Sequence, residues 1–269
     1  MDPLFEQGVA LITGAGSGIG QQISRYFALR GCKKVFLVDL STKGLEETRN
    51  IINSESPATH VTLQQTDVSN NESVKEMVRK CVEVYGRIDF AANNAGIATP
   101  NIKTADMEVK MFDRTCNVNM KGIHLCHKYE IEQMLQQEPL PVYNDYRAVR
   151  GSIVDTASMC GRAVLGTLPA YNSSKHAVIS LMRVDARQYA KDGIRINAVC
   201  PGFVDTPMMR SDFLSEEHIK GAKAQSPMNR FVDSTEVAKG VMFLSGSAAT
   251  AVTGTDLMVD AGAMTFHVF

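Results

Sequence analysis

Val9-Ala10-Leu11-Ile12-Thr13-Gly14-Ala15-Gly16-Ser17-Gly18-Ile19-Gly20 is the stretch whose reading decides the fold. Val9 to Thr13 is a short apolar run closed by glycines, which predicts a buried strand. The amphipathic segment from Gly18 to Arg30 predicts a helix that opens directly from the glycine turn. A strand, a glycine turn and a helix N-terminus in succession form a ready anion site, because free backbone N–H groups and the helix dipole both face the turn. Gly14, Ser17, Gly18, Ile19 and Gly20 are therefore candidate contacts to a dinucleotide pyrophosphate. The spacing is Gly-x3-Gly-x-Gly at 14, 18 and 20, which departs from the general GxGxxG fingerprint. Glycines also serve simply to turn a chain, and it is the flanking strand and helix that favour the cofactor.

Outward from this turn the same rhythm continues. Strands are predicted at Lys34 to Asp39, His60 to Thr66, Ile88 to Asn93, Gly151 to Thr156 and Ile194 to Val199. Helices are predicted at Lys43 to Ser54, Asn71 to Tyr85, Met107 to Gln136 and Pro169 to Lys191. Alternating strands and helices give an α/β Rossmann fold, a doubly wound parallel sheet of about seven strands with helices on both faces. No linker or internal repeat divides the chain, so residues 1–269 are expected to form one dinucleotide-binding domain. Gln136 to Arg150, with Pro139 and Pro141, reads as a surface insertion. Thr206 to Pro227, which follows the C-terminal end of a strand, reads as a candidate substrate lid or a plain surface helix.

The composition excludes several classes. The chain has 269 residues, 44% of them hydrophobic and 21% charged, with a formal net charge of -1. Disorder and fibrous repeats are thereby disfavoured. No basic field exists for nucleic acid or an anionic membrane surface, and a neutral small molecule is the expected partner. Met1 to Gln7 has no basic n-region, and the apolar run after it is too short for a signal peptide or a span, so a cytoplasmic location is expected. The six cysteines form no CxxC pair, so no metal and no disulfide framework is expected.

Asp39 ends the second strand 19 residues after Gly20, close to the offset of about 20 at which an acidic side chain grips the adenosine ribose hydroxyls. A carboxylate there repels a 2′-phosphate. The residues around it (Leu40, Ser41, Thr42, and Ala15 to Ser17 in the turn) include no Arg or Lys to hold one, which favours NAD over NADP. The alternative role for Asp39 is to cap the next turn or pair with Lys43. Asp67 and Val68, ending the third strand, are candidates for the adenine edge, with a helix cap as the alternative for Asp67. Tyr171 and Lys175 stand four apart on a predicted helix and share a face, and a cation beside a phenol favours the phenolate.

Thr13 to Gly20 resembles TGxxxGxG, Asn93-Asn94-Ala95-Gly96 resembles NNAG, Tyr171 to Lys175 is YxxxK, and Pro201-Gly202-Phe203-Val204-Asp205-Thr206 matches PG-x-x-x-T. In that order these motifs resemble the compact short-chain dehydrogenase/reductases from residue 5 to residue 262. Ser158, 13 residues before Tyr171, matches the family's catalytic serine, and Asn119 its helix asparagine. The resemblance implies a relay. Tyr171 would exchange the proton on the substrate oxygen and Ser158 would hydrogen-bond that oxygen. Lys175 would hold the nicotinamide ribose and, with the positively charged oxidised ring, depress the Tyr171 pKa, while Asn119 would hold a water connecting Lys175 to solvent. Asn93, Asn94, Ala95 and Gly96 would lie against the adenosine ribose while also stabilising the sheet through strand packing. Thr206 would hold the carboxamide, beside Pro201, Gly202 and Val204. Read singly, Ser158 is also a possible N-cap and Asn119 a polar residue that kinks a helix.

Asp155 and Ala157 depart from the family's usual Asn and Ser, and Ala261 from its Gly, without touching the tetrad. The insertion Gln136 to Arg150 resembles one in some fungal members of natural-product pathways. The expected function is NAD-dependent oxidation of a secondary alcohol on a fairly apolar small molecule, in specialised metabolism. Met159, Val164, Leu165, Met208, Met209 and Phe213 are expected around the substrate, with core filling as the alternative for the methionines. The oxidative direction is inferred from Asp39, since cellular NAD is held largely oxidised. The alternatives are an NADPH-linked carbonyl reductase, a non-catalytic dinucleotide sensor or scaffold, and a fold recruited to non-redox cyclisation. The resemblance also implies a homotetramer, or a homodimer, with the tail Phe266 to Phe269 suited to burial against a neighbour.

Overall fold

A computed structural model describes residues 2–140, 149–210, 220–221 and 223–266. Seven parallel strands form one sheet: β1 (Val9–Thr13), β2 (Lys34–Asp39), β3 (His60–Gln65), β4 (Phe90–Asn93), β5 (Gly151–Thr156), β6 (Ile194–Pro201) and β7 (Asp256–Val259). Their order is β3-β2-β1-β4-β5-β6-β7. The order reverses between β1 and β4, and the crevice outside the carboxyl ends of strands at such a reversal is where open α/β sheets take their ligands. In register, Thr13 lies opposite both Val38 and Asn93, and Asn93 opposite Asp155. The glycine turn, Asp39, the Asn93 turn and Ser158 therefore emerge along one edge.

Alternate residues of a strand point to opposite faces, and β1 shows it. Val9 and Leu11 pack with Phe36, Met77, Ile123 and Met182 on one side, while Ala10 and Ile12 pack with Ile23, Phe27, Leu37 and Val241 on the other. The first face is covered by α4 (Asn71–Tyr85), α6 (Gly122–Gln136) and α7 (Pro169–Tyr189). The second is covered by α2 (Gly18–Leu29), α3 (Thr42–Glu55) and α8 (Ser234–Ser245). A short N-terminal helix, α1 (Pro3–Gln7), drives Phe5 against Phe27 and Phe90, with ring centroids 5.5 and 5.1 Å away.

The helix expected over Met107 to Gln136 is not continuous. α5 (Val109–Cys116) passes through a wider π turn at Asn117–Lys121 before α6 begins. Within that turn Asn119 is buried, its carboxamide bonded to the backbone of Ile97 on a neighbouring loop. β4 begins at Phe90 rather than Ile88, because the Gln137 carboxamide takes both the N–H and the carbonyl of Ile88. α7 ends at Tyr189 rather than Lys191, in a 3-10 turn that closes on Gly193 at φ 76°. Residues 141–148 of the expected insertion, residues 211–219 and 222 of the expected lid with Phe213 among them, and residues 267–269 of the tail lie outside the described residues.

Candidate active site

The glycine turn is locked to the turn after β4. Thr13 Oγ1 accepts from the N–H groups of Asn94 and Ala95 at 3.0 and 3.2 Å. Gly14, at φ 67°, lies so close that an added Cβ would stand 2.9 Å from the Ala95 Cα. Ser17 precedes α2 without capping it through its side chain, and the first turn carries no acid. The helix N-terminus thus offers its amides and its positive dipole end to the cleft. Gly20 does not line the cleft. A Cβ there would collide with the Gly14 carbonyl, so this glycine serves packing.

Asp39 reaches back to the turn: Oδ2 accepts from the Gly16 N–H at 2.9 Å and Oδ1 from the Ser41 N–H at 2.8 Å. It therefore both anchors the glycine turn and caps the following one, while Lys43 faces Glu47 instead. Leu40 forms an exposed rim beside it. Asp67 and Val68 line the same end, with Asp67 Oδ1 accepting from the Ser69 N–H and hydroxyl at 2.9 and 2.7 Å. The cap of α4 belongs to Asn70, not Asp67.

At the other end, Ser158 follows β5 and caps a short 3-10 turn, Oγ accepting from the Cys160 N–H at 3.1 Å. Tyr171 and Lys175 stand one turn apart on α7, and both line the cleft with Ser158. Lys175 Nζ donates to the Thr156 carbonyl at 2.7 Å and lies 5.7 Å from the centre of the Tyr171 ring. Burial lowers the Lys175 ammonium to about 8, with Cys200, Asp155 and Cys160 opposing. Burial pushes the Tyr171 phenol up, and the Ser158 side-chain hydrogen bond opposes this. The Lys175 ammonium is turned onto a backbone carbonyl, and the depression of the phenol expected from Lys175 together with an oxidised nicotinamide ring belongs to the cofactor-bound cleft. Burial thus favours the neutral form of the Tyr171 phenol.

Asn119 stands behind this group rather than on the cleft wall. Its Oδ1 accepts from the Ile97 N–H at 2.8 Å, and its Nδ2 donates to the Ile97 carbonyl at 2.9 Å and to Ser174 Oγ at 3.2 Å. A Cβ on Gly96 would sit 3.3 Å from Asn119 Oδ1 and 3.6 Å from Lys175 Nζ. Asn93 corrects an expectation: it is fully buried, with Nδ2 directed to Glu130 and Asp155 at 3.0 and 3.3 Å. Strand-end position brought it into the expected ribose contacts, but its side chain belongs to the core. Asn94, Ala95 and Gly96 do line the cleft.

The whole cleft measures about 1420 Å³ and runs from Asp39 and Leu40 past Gly14 to Ser158, Met159 and Tyr171. Pro201, Gly202, Val204 and Thr206 line it after β6, followed by Met208 and Met209. Thr206 Oγ1 lies 3.4 Å from the Val204 carbonyl and 3.4 Å from the Met209 N–H. Leu165 lines the cleft, whereas Val164 is 74% exposed and does not. Cys160, Leu168 and Phe203 line it too. They were absent from the expected set, though Cys160 and Phe203 each follow a strand end within a few residues. The glycine cradle, the helix N-terminus without a side-chain cap and the Asp39 carboxylate lining the cleft fit a nicotinamide dinucleotide.

A family described as enoyl-(acyl carrier protein) reductase matches residues 14–264. Among relatives, the chain is similar to levodione reductase of Leifsonia aquatica, at 33% identity over 96% of this chain and 94% of that one. It is similar to cis-4-hydroxycyclohexanecarboxylate dehydrogenase of Sinomonas cyclohexanicum, at 31% identity over 97% and 98%. Among solved structures, it resembles 3-ketoacyl-(acyl-carrier-protein) reductase from Brucella melitensis complexed with NADH, with TM-score 0.84, 29% identity and coverage of 96% and 99%. It also resembles ElxO with NADP bound, with TM-score 0.83, 28% identity and coverage of 98% and 100%.

Proposed function

Since the chain belongs to the short-chain dehydrogenase/reductase family, oxidoreductases that act on CH–OH groups with a nicotinamide dinucleotide, we propose that it oxidises a secondary alcohol on a fairly apolar small molecule with NAD. The observation that carries this reading is the placement of Asp39 at one end of a single cleft and of Ser158, Tyr171 and Lys175 together at the other. The ring alcohol in the name of one relative and the dione in the name of another support a cyclic alcohol or ketone as substrate.

When bound, the dinucleotide supplies the hydride acceptor or donor. The α2 N-terminus with Gly14, Ser17, Gly18 and Ile19 would hold its pyrophosphate, Asp39 the adenosine ribose, Lys175 the nicotinamide ribose and Thr206 the carboxamide. Tyr171 exchanges a proton with the substrate oxygen at its phenolic oxygen, and Ser158 Oγ hydrogen-bonds the same substrate atom. Met159, Leu165, Phe203, Met208 and Met209 exclude water from the reacting carbon. The raised phenol of Tyr171 favours a second reading, ketone reduction, in which the same oxygen donates its proton.

Tyr171→Phe tests the assignment against a panel of cyclic secondary alcohols with NAD and ketones with NADH. Removing the hydroxyl removes the proton path, and turnover should fall by roughly 10²- to 10⁴-fold while NADH still binds. Near-normal turnover in that variant would remove Tyr171 from the chemistry.

A further inference from the structure

Asn172 stands in the first turn of α7, directly after Tyr171, and is 6% exposed. An asparagine inside a helix is unfavourable, because its side chain competes with the backbone for hydrogen bonds, and burying its carboxamide is costly unless every bond is made. Here the bonds run back to the segment before the helix. Nδ2 donates to the carbonyls of Leu165 and Leu168 at 3.1 and 2.9 Å, and Oδ1 accepts from the Leu165 N–H at 3.2 Å. α7 starts after Leu168 without a side-chain cap, so the carboxamide ties loop and helix together from inside the first turn.

The same loop is held from its other side. Asn101 Oδ1 accepts from the Thr167 N–H at 3.3 Å, and the Thr167 carbonyl accepts from the Ile102 N–H at 2.8 Å. Gly166 turns at φ 58°, and a Cβ there would stand 2.8 Å from Asn101 Oδ1. Residues 165–168 therefore form an arch pinned to α7 on one side and to the loop after β4 on the other. Leu165, Gly166 and Leu168 line the cleft on this arch. Leu165 belongs to one apolar cluster with Met159, Cys160, Tyr171 and Phe203.

We infer that Asn172 is a positioning residue that determines substrate specificity: its carboxamide fixes the arch, so that Leu165 and Leu168 meet the substrate as a rigid apolar wall beside Tyr171. A rigid wall selects by shape, because a molecule that does not match it leaves a void or forces strain, whereas a loose wall closes on either. The inference rests on the reading of this cleft as the site of alcohol oxidation or ketone reduction. The clamp uses neither the Tyr171 hydroxyl nor the groups assigned to the dinucleotide, so its loss acts on substrate fit.

The test is oxidation of cyclohexanol and of 2-hexanol with saturating NAD by the full chain and by Asn172→Ala, with hydrogen exchange followed at the Leu165 amide in both. In Asn172→Ala the KM for cyclohexanol should rise about tenfold, and the ratio of kcat/KM for the two alcohols should move toward one. The kcat and the affinity for NADH should stay near wild type. The Leu165 amide, freed from Asn172 Oδ1, should exchange about tenfold faster or more. An unchanged ratio in the folded variant overturns the inference, even where thermal stability falls. A fall in kcat with KM in place also overturns it, because the clamp would then act on Tyr171. If Asn172→Ala does not fold, Asn101→Ala loosens the arch from its exposed side. The ratio should then move the same way by a smaller factor, with faster exchange at Thr167, and an unmoved ratio overturns the inference. A wild-type chain that oxidises neither alcohol contradicts the function proposed above, and exchange at Leu165 that stays slow in Asn172→Ala overturns the clamp whatever the substrate.

Discussion

Asp39 carries structure through its own hydrogen bonds and, in the function proposed above, cofactor selectivity as well. Its carboxylate is held by two backbone N–H groups, Gly16 and Ser41, at 2.9 and 2.8 Å. It faces the end of the cleft where an adenosine ribose would rest. Asp39→Ala removes a charged hydrogen-bonding group, worth about 1.5–3 kcal/mol in such settings. NADH affinity should drop about tenfold or more, and the gap between NADH and NADPH should narrow. An unchanged preference would take Asp39 out of the ribose site. Its place at the strand end beside the glycine turn was legible, because parallel register carries the end of β2 alongside the end of β1. Asn93 was misread for a related reason. Position places a strand-end residue near the cleft, but only packing decides which way its side chain turns, and here the buried Glu130 and Asp155 draw it inward.

Elements obey the same division between what spacing decides and what tertiary contact decides. The strand and helix rhythm of the first half was readable from apolar periodicity. The π turn at Asn117–Lys121 was not, because it depends on Asn119 meeting the backbone of a loop 22 residues away in sequence. The start of α8 did carry a local signal, an Asp233/Glu236 capping box, which the sequence reading passed over. Between α6, α7 and β5, a buried cluster of His127, Glu130, Asp155 and Asp185 makes stability depend on pH. Burial alone would lower His127, but Asp155 and Asp185 raise it to about 10 from its ordinary 6.5. Its contribution is full below 6.5 and is lost as pH rises through about 10. Glu130, raised from 4.5 to about 7, favours the fold while protonated and disfavours it increasingly as pH climbs through that interval. Both act in one direction, so the urea midpoint should fall from mildly acid to alkaline pH. Glu130→Gln should remove the part of the fall below about 7. A midpoint that rises with pH would contradict the assignment.

For the whole molecule, the sheet order was legible as a class, since parallel strands joined by helices leave few topologies. The partners of its edges were not. β7 closes one edge with half-buried residues, and α5 and α7 expose Val109, Phe112 and Val184 at 74, 40 and 50%. We propose that these surfaces meet other copies and that the chain is a homotetramer. Light scattering should then give four copies of the 29.4 kDa chain, and Val184→Glu should shift it to a smaller species. A wild-type monomer would sink this reading. Among the described residues, no helix is long and apolar enough to cross a membrane, and no group of His, Cys, Asp and Glu side chains could hold a metal ion.

Everything proposed for the cleft turns on which dinucleotide it takes. The most direct measurement is a pair of fluorescence titrations of the purified chain, with NADH and with NADPH under the same buffer. Tight NADH binding with much weaker NADPH binding is the result expected from the Asp39 carboxylate and from the absence of Arg or Lys at Leu40 to Thr42 and in the glycine turn. Equal affinity, or tighter NADPH, would contradict the NAD reading and move ketone reduction with NADPH to the front.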